Sequence, residues 1–450
     1  MRFIPHTEDD IAVMLRTIGV ARLDDLLEHV PKRLRDRAAI ALPPGQSEAE
    51  VAAEMSGLAA RNRAVSDVFA SFLGGGYYRH FVPAAVRAVI SRAEFATSYT
   101  PYQPEASQGT TQAIFEFQTM IAQLTGLEVA NASMYDGASA AAEAVLMAHR
   151  VLPKRTVVVI SRALWPDYRA AIRTYLSALK NFELVEAPFD PATGATDPSA
   201  LAPYLNDRLL CAVVGYPNAF GVIEPLGQIA AAVKQAGGIT ISATAEPLAL
   251  GLLKSPGELG ADIAVGEGQS FGMPLQFGGP GVGFFAARMA QVRQMPGRLV
   301  GQTRDNRGNR AFCLTLATRE QHIRRERATS NICTNHSLCA LAATAYLTLM
   351  GRRGLRELAA RNVELAAQAR DRLRATGIPA RFSGKFFNEF AITVADPARA
   401  LERAEAAGVL AGIPLGRDYP ELADAILVTV TETNSPAEIE RLADSLAGVG

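Results

Sequence analysis

Four stretches of the 450-residue chain bring together side chains able to do chemistry. The first, residues 98–109 (SYTPYQPEASQG), carries two prolines, two tyrosines and several hydrogen-bonding side chains. The prolines fix φ and stiffen the loop. A stiff loop presenting Tyr99, Tyr102 and Gln103 suits contact with a ligand or a partner, or forms a structured cover over a core. The second, residues 131–143 (NASMYDGASAAAE), runs from small residues straight into an alanine-rich helix. A helix start reached through glycine and serine offers unpaired N–H groups to an anion. Asp136 stands at the same place, however, and its charge would repel a phosphate; close helix–strand packing accounts for the small residues equally well. In the third, residues 266–285 (GEGQSFGMPLQFGGPGVGFF), a strand ends, a glycine-rich loop turns and another strand begins. Its glycines permit close approach of backbone to whatever lies beside the turn. The fourth, residues 319–335 (REQHIRRERATSNICTN), interleaves Glu320 and Glu326 with arginines and holds no aromatic ring. That pattern fits a salt-bridged helix face followed by a polar turn better than a nucleic-acid patch. Cys333 reads as a structural thiol, because no His–acid pair stands beside it in sequence.

These segments must be positioned by a large core, and the composition supplies one. Hydrophobic residues make up 49% of the chain and charged residues 20%, which excludes disorder for the bulk. At roughly 150 residues per domain, the length implies about three units. Lys+Arg and Asp+Glu are 45 each, so no whole-molecule basic field exists to grip nucleic acid. The cysteines, Cys211, Cys313, Cys333 and Cys339, form no CxxC pair, so neither a disulfide framework nor a zinc knuckle is indicated. The opening MRFIPHTEDD lacks an apolar signal-peptide region, and no apolar run reaches the ~18 residues of a membrane span. A soluble, cytoplasmic protein is expected.

The elements follow from periodicity. Thr7 can cap a helix through Leu15, a second short helix spans 23–30, and Ser47 with Glu50 forms a capping box for a helix reaching about Arg63. Short Val- and Ile-rich runs at 156–160, 183–187, 209–214, 238–243, 262–265 and 282–286 are apolar on both faces. That is the signature of parallel strands covered by helices on both sides. A long helix over 319–350 follows, then a helix over 355–376, strands at 380–383, 389–394 and 426–430, and a last helix over 436–447. The expected organisation is a helical N-terminal arm (1–63), a large α/β domain with a mostly parallel sheet (64–310), and a linking helix with a small C-terminal α+β domain (311–450).

Taken together, the words SYTPYQPEASQG, FEFQTMIAQLTGLEVANASMYDGASAAAEA, GADIAVGEGQSFGMPLQFGGPGVGFFA, PGRLVGQTRDNRGNR and TREQHIRRERATSNICTN resemble one family. It is the P-protein of the glycine cleavage system, glycine dehydrogenase (decarboxylating), in its N-terminal-type, subunit 1 (alpha) form. The resemblance covers about residues 64–350 and implies an aspartate-aminotransferase-like fold of the pyridoxal-phosphate-dependent transferases. The glycine-rich turn resembles the cofactor loop of those enzymes, where a lysine anchors pyridoxal 5'-phosphate. Gln269 occupies the matching place, and an amide cannot form a Schiff base.

Further expectations come with the resemblance. Some family members are one long chain with two homologous halves; others are split in two, and this length fits the split form. The cofactor lysine then belongs to subunit 2, and the pair assembles as an (αβ)₂ heterotetramer. The complex decarboxylates glycine and passes the aminomethyl group to the lipoyl arm of H-protein, an oxidoreductase step of glycine catabolism. A cofactor that delocalises the resulting carbanion needs a lysine, a phosphate cup and a carboxylate near its pyridine nitrogen. Here the lysine is missing, no Asp lies in 238–243, and the nearest acid is Glu246 beside Pro247. The chain is expected to hold a pseudo-site without bound cofactor or metal, to be inactive alone, and to lend Tyr99, Tyr102 and Gln103 to the partner's active site. Trp165-Pro166 departs from the histidine–proline more usual in this subunit type, which argues against a small-molecule role for the vestigial pocket. Two other readings remain: a self-sufficient pyridoxal-phosphate enzyme using Lys254, and a non-catalytic scaffold.

Overall fold

The computed structural model describes residues 6–38, 41–65, 69–179, 181–332 and 334–448. The chain divides into two units, Met1–Ala64 and Val65–Gly450. In the first, side-chain caps set the helix starts. Thr7 Oγ1 accepts from the Asp10 N–H, while the Asp10 carboxylate accepts from the Thr7 N–H, which starts the helix Glu8–Ile18. Ser47 and Glu50 exchange the same two bonds ahead of the helix Glu48–Ala59, which ends before the expected Arg63. The helix expected over 23–30 is only a tight 3₁₀ turn, Leu23–Leu27, followed by a short helix Lys32–Ala38.

The second unit is built on strands β1 (Ala70–Ser71), β2 (Val129–Ala130), β3 (Val157–Ser161), β4 (Glu183–Ala187), β5 (Leu209–Gly215), β6 (Ile239–Thr244), β7 (Ile263–Glu267) and β8 (Gly283–Ala287). Strands β2 to β8 form one sheet in the order β2-β8-β7-β6-β5-β3-β4. From β7 through β4 every pairing is parallel; β8 runs antiparallel to β7 and to β2. The six apolar runs read from the sequence are all strands, each within about two residues of its expected place. Their two-sided apolarity has its cause in the layers. Val158 and Ile160 pack with Ala141 and Val145 of the helix Gly137–Val151 and Ile172 of the helix Pro166–Ser177. Val157 and Val159 point the other way, to Ile229 and Val233 of the helix Leu226–Gln235. The α/β fold with a mostly parallel central sheet is therefore as the sequence implied.

Beyond the sheet, β9 (Leu299–Arg304) and β10 (Arg310–Thr315) form an antiparallel hairpin. The C-terminal part adds β11 (Glu389–Thr393), β12 (Val409–Leu410), β13 (Ile413–Pro414) and β14 (Ala425–Thr429). An antiparallel sheet β11-β14-β13 packs its Ile392, Ile426 and Val428 against Leu365 and Leu373 of the helical stretch Ser337–Ala375, in the part beyond its non-helical break at Gly351, and against Leu442 of the helix Pro436–Leu446. Early in the second unit, β1 pairs in parallel with β12, Ala70 opposite Val409, so Ala70 and Phe72 are buried in this same C-terminal core.

Two elements of the second unit also differ from expectation. The long helix expected over 319–350 is α-helical only at Gln321–Arg324, which runs into a 3₁₀ turn Arg325–Arg327, and again from Ser337. Arg325 takes a left-handed φ of 53°, and Thr329, Ser330, Asn331 and Thr334 beyond it compete with the backbone for hydrogen bonds. No apolar stripe in 324–331 offsets that cost. The strand expected at 380–383 is a single bridge, Ala380 to Ile392. Among the described residues, no helix is long and apolar enough to cross a membrane. Ile241 of β6 is fully buried at the centre of the large sheet. Ile241→Ala should destabilise the protein by about 2–5 kcal/mol, read as a lowered thermal midpoint with unchanged mobility of the folded chain.

Candidate functional site

The carboxyl ends of parallel strands are where this sheet type presents side chains to ligands. Gln269 lies just beyond β7 and Glu246 just beyond β6. Gln269 is 2% exposed, yet its carboxamide is fully engaged. Its Oε1 accepts from the Tyr78 N–H at 2.9 Å, and its Nε2 donates to the Tyr78 carbonyl at 3.0 Å and the Met273 carbonyl at 2.7 Å. The side chain thus pairs with the Tyr78 backbone in both directions. An ammonium has three donors and no acceptor, so a lysine there would orphan the Tyr78 N–H.

The anion site anticipated at the helix Gly137–Val151 is taken by the protein's own carboxylates. Glu267 Oε2 accepts from the Gly137 N–H at 3.1 Å, and its Oε1 accepts from Gln269 N–H at 3.1 Å and Val282 N–H at 2.7 Å. Asp136 accepts from the Ser139 N–H at 2.7 Å as the helix cap. Burial pushes the Glu267 carboxyl up to about 7, against the pull of its N–H donors and helped by Asp136. Gly137 is required for packing: a Cβ there would run into the Tyr168 hydroxyl. Trp165, at the start of the next helix, is buried with its ring 5.5 Å from that of Tyr168.

Glu246 is engaged as well. Its Oε2 lies 2.8 Å from His80 Nε2, and His80 Nδ1 lies 2.8 Å from Glu432 Oε2. Burial opposes charge on the imidazole, but the two carboxylates outweigh it and raise the His80 pKa to about 10. Asn388 Nδ2 adds a donor to Glu246, and Asn362 Nδ2 adds one to Glu432. Tyr78, fully buried, donates its hydroxyl to Glu389 Oε2 at 2.7 Å. The other Glu389 oxygen accepts from Gly75 N–H and Thr429 Oγ1, and burial pushes this carboxyl up to about 7. Residues 75–80 therefore lie across the carboxyl ends of β6 and β7, held by Gln269 and Glu246 on the sheet side and by Glu389 and Glu432 on the C-terminal side. The three requirements for a pyridoxal phosphate site, an anchoring amine, free phosphate donors and an acid available to the ring nitrogen, are not met by these residues. The groups do not fit that cofactor.

The loop at 98–109 is built differently. Pro101 is buried beneath it. Gln108 pins its far end, donating to the Phe312 carbonyl and accepting from the Phe312 N–H across to β10. Tyr99 is 79% exposed and Tyr102 54% exposed, and Gln103 is exposed as well. Among the described residues, Tyr102 is the one of the three that meets side chains of the 319–335 stretch. Its Oη accepts from Arg298 Nη2 at 3.0 Å, and its ring stands edge-on to His322, 5.6 Å between centroids. Arg298 and His322 both approach Glu320, at 3.5 and 3.6 Å. Tyr102, Glu320, His322, Arg325 and Asn331 line a surface cavity of about 410 Å³. The first and fourth stretches of the sequence are thus joined in space, while Gln269 and Glu246 belong to the buried cluster. Lys254 is exposed on the turn after the 3₁₀ segment Pro247–Gly251, and Cys333 lies outside the described residues. Among the described residues, no group of three or more His, Cys, Asp or Glu side chains could hold a metal.

A profile of the family described as "Glycine cleavage system P-protein" matches residues 1–446. The chain belongs to this P-protein family. A curated P-protein relative from Geobacillus kaustophilus, "Probable glycine dehydrogenase (decarboxylating) subunit 1", is 49% identical over 448 residues, 99% of this chain and 98% of that one. A relative of the same description from Anaeromyxobacter dehalogenans is 49% identical over 449 residues, 99% of this chain and 100% of its own. Among solved structures, a glycine decarboxylase (P-protein) of the glycine cleavage system, in inhibitor-bound form, superposes with a TM-score of 0.91 at 44% identity, covering 100% of both chains. Aspartate aminotransferase from Thermus thermophilus with maleate shares the fold alone, with a TM-score of 0.56 at 18% identity over 89% of this chain and 97% of that one. The P-protein resemblance and the aminotransferase-like fold read from the sequence are both borne out.

The residues that sequence reasoning missed are Tyr78, His80, Glu267, Arg298, Glu389 and Glu432. Glu267 left a signal, an acid closing an apolar strand run; the others became visible only when distant segments met. Two outcomes follow. Gln269→Lys should cost about 3–5 kcal/mol, as a buried charge without a partner, and should not give the isolated chain a visible absorption band when pyridoxal phosphate is added. His80 binds its proton up to about 10 in the folded chain against 6.5 ordinarily. Its stabilising contribution is therefore complete below about pH 6.5 and lost as pH rises toward 10. Thermal midpoints measured from pH 7 to 10 should fall for the native chain and fall less for His80→Gln.

Proposed function

We propose that this chain is subunit 1 of a two-subunit glycine dehydrogenase (decarboxylating), acting on glycine within the glycine cleavage system. The curated relatives carry that description over their full length. In this reading pyridoxal 5'-phosphate resides in subunit 2, and the pair forms an (αβ)₂ heterotetramer in the cytoplasm. Together the two subunits decarboxylate glycine, and the lipoyl arm of H-protein receives the aminomethyl group. The present chain is inactive by itself. One observation carries the division of labour: the Gln269 carboxamide is fully bonded to the Tyr78 and Met273 backbone at the place where the fold's other members anchor their cofactor.

The contribution of this chain is a surface. Tyr99, Tyr102 and Gln103 stand exposed on a loop fixed at one end by Gln108 and stiffened by two prolines. Exposed aromatic and amide side chains on a stiff loop suit insertion into a partner's pocket at small entropic cost. Residues 64–310 and 311–450 then act as the large and small domains of the fold, and residues 1–63 as its arm.

The chain purified alone should be colourless with pyridoxal phosphate and should not exchange glycine carboxyl with bicarbonate. Mixed with subunit 2 it should restore exchange and elute at the size of an (αβ)₂ assembly. A yellow, active chain without a partner would overturn the reading. In the assembled complex, Tyr99→Phe and Tyr102→Phe should each slow exchange about 10- to 100-fold, the scale of one aimed hydrogen bond. Full activity of both variants would remove the loop from the active site.

A further inference from the structure

We propose that Arg298 is a positioning residue that fixes Tyr102 as a directed hydrogen-bond donor toward the partner's substrate pocket. This rests on the reading that the 98–109 loop serves that pocket, and it adds what aims the loop. Arg298 is 5% exposed in a chain whose arginines are mostly on the surface. It stands one residue ahead of β9, and its carbonyl accepts from the Ala132 N–H at 2.9 Å, which ties its backbone to the segment leading into the helix Gly137–Val151. Its guanidinium reaches at least two groups. Nη2 donates to Tyr102 Oη at 3.0 Å, and Nε lies 3.5 Å from Glu320 Oε2, itself 9% exposed. The guanidinium carbon lies 5.3 Å from the Tyr102 ring centroid, so the ring is held as well as the hydroxyl.

The direction of the hydrogen bond matters. A guanidinium donates and never accepts, so one lone pair of Tyr102 Oη is committed to Arg298. The hydroxyl proton then points away from Arg298, and the cavity of about 410 Å³ lined by Tyr102, His322, Arg325 and Asn331 lies beside it. Tyr102 thereby offers a donor to an acceptor held by the partner. Lysine cannot replace Arg298 in this task, because one ammonium on a flexible stem does not present the rigid fork that spans Tyr102 and Glu320.

The test is a double-mutant cycle in the assembled two-subunit complex. Glycine–bicarbonate exchange is read as kcat and KM separately, glycine affinity from the cofactor absorbance, and assembly from size and thermal midpoint. Arg298→Lys should lower kcat about 10-fold, and by no more than Tyr102→Phe does, as expected when a directed donor is misaimed rather than removed, with assembly intact. Combined with Tyr102→Phe, it should be no slower than Tyr102→Phe alone. Independent losses that multiply in the double variant would overturn the inference and leave Arg298 a structural staple. A wild-type kcat for Arg298→Lys beside an impaired Tyr102→Phe would also overturn it while sparing the loop reading. Full activity of Tyr102→Phe would instead sink the loop reading and this inference together. If Arg298→Lys fails to assemble, Glu320→Gln keeps an acceptor for the guanidinium. Its loss, about tenfold, should vanish in the Tyr102→Phe background, and an equal loss in both backgrounds counts against the proposal.

Discussion

One carboxamide sets the character of this subunit's buried centre. Gln269 meets the backbone of Tyr78 as donor and acceptor at once, which neither a lysine nor an apolar side chain can do. Fixing the Tyr78 backbone there places its phenol on Glu389, and two residues later it places His80 between Glu246 and Glu432. The rest of the cluster depends on this. Glu267 and Glu389 are desolvated carboxyls held by N–H and hydroxyl donors, and His80 supplies a cation between the other two acids. Buried acids are tolerated only when such partners are complete. Residues 75–80 supply partners to Glu389, Glu246 and Glu432, whereas Glu267 is held by the Gly137, Gln269 and Val282 N–H groups.

The same constraint extends to the turns at the carboxyl ends of the sheet. The parallel sheet still directs its turns toward one end, and the helix Gly137–Val151 still starts beside them. The donors and acceptors around that end are engaged with one another. Glu267 and Asp136 absorb N–H groups that would otherwise face an anion, Glu246 is committed to an imidazole, and Gln269 to the main chain. Polar groups once satisfied internally have no free valence for a ligand. The exposed loop at 98–109 is supported instead by Gln108, Arg298 and Glu320, away from the sheet's turns.

Much of this architecture was written locally. The strand runs declared themselves because a strand sandwiched between helix layers must be apolar on both faces, as Val157 to Ile160 are. Thr7 and Ser47 declared their helices because a capping box is a four-residue affair. The failures were equally physical. The arginine- and glutamate-rich segment after Arg319 has helix-forming composition but no stripe to bury, so it stays helical for one turn only. The pairing of Ala70 with Val409 joins residues remote in sequence, and no local pattern encodes a two-residue parallel strand.

The sequence by itself determined the family, the α/β class, the position of the strands and the absence of a lysine at 269, because each of these is carried by residue identity or by short-range periodicity. Tertiary structure alone decided what stands in place of a cofactor's partners and what supports Tyr102. Those answers depend on which distant groups complete one another's hydrogen bonds inside a desolvated interior. Gln269 with Tyr78, Glu246 with His80 and Arg298 with Tyr102 are each separated by well over a hundred residues, and complementarity of that kind exists only once the chain has folded.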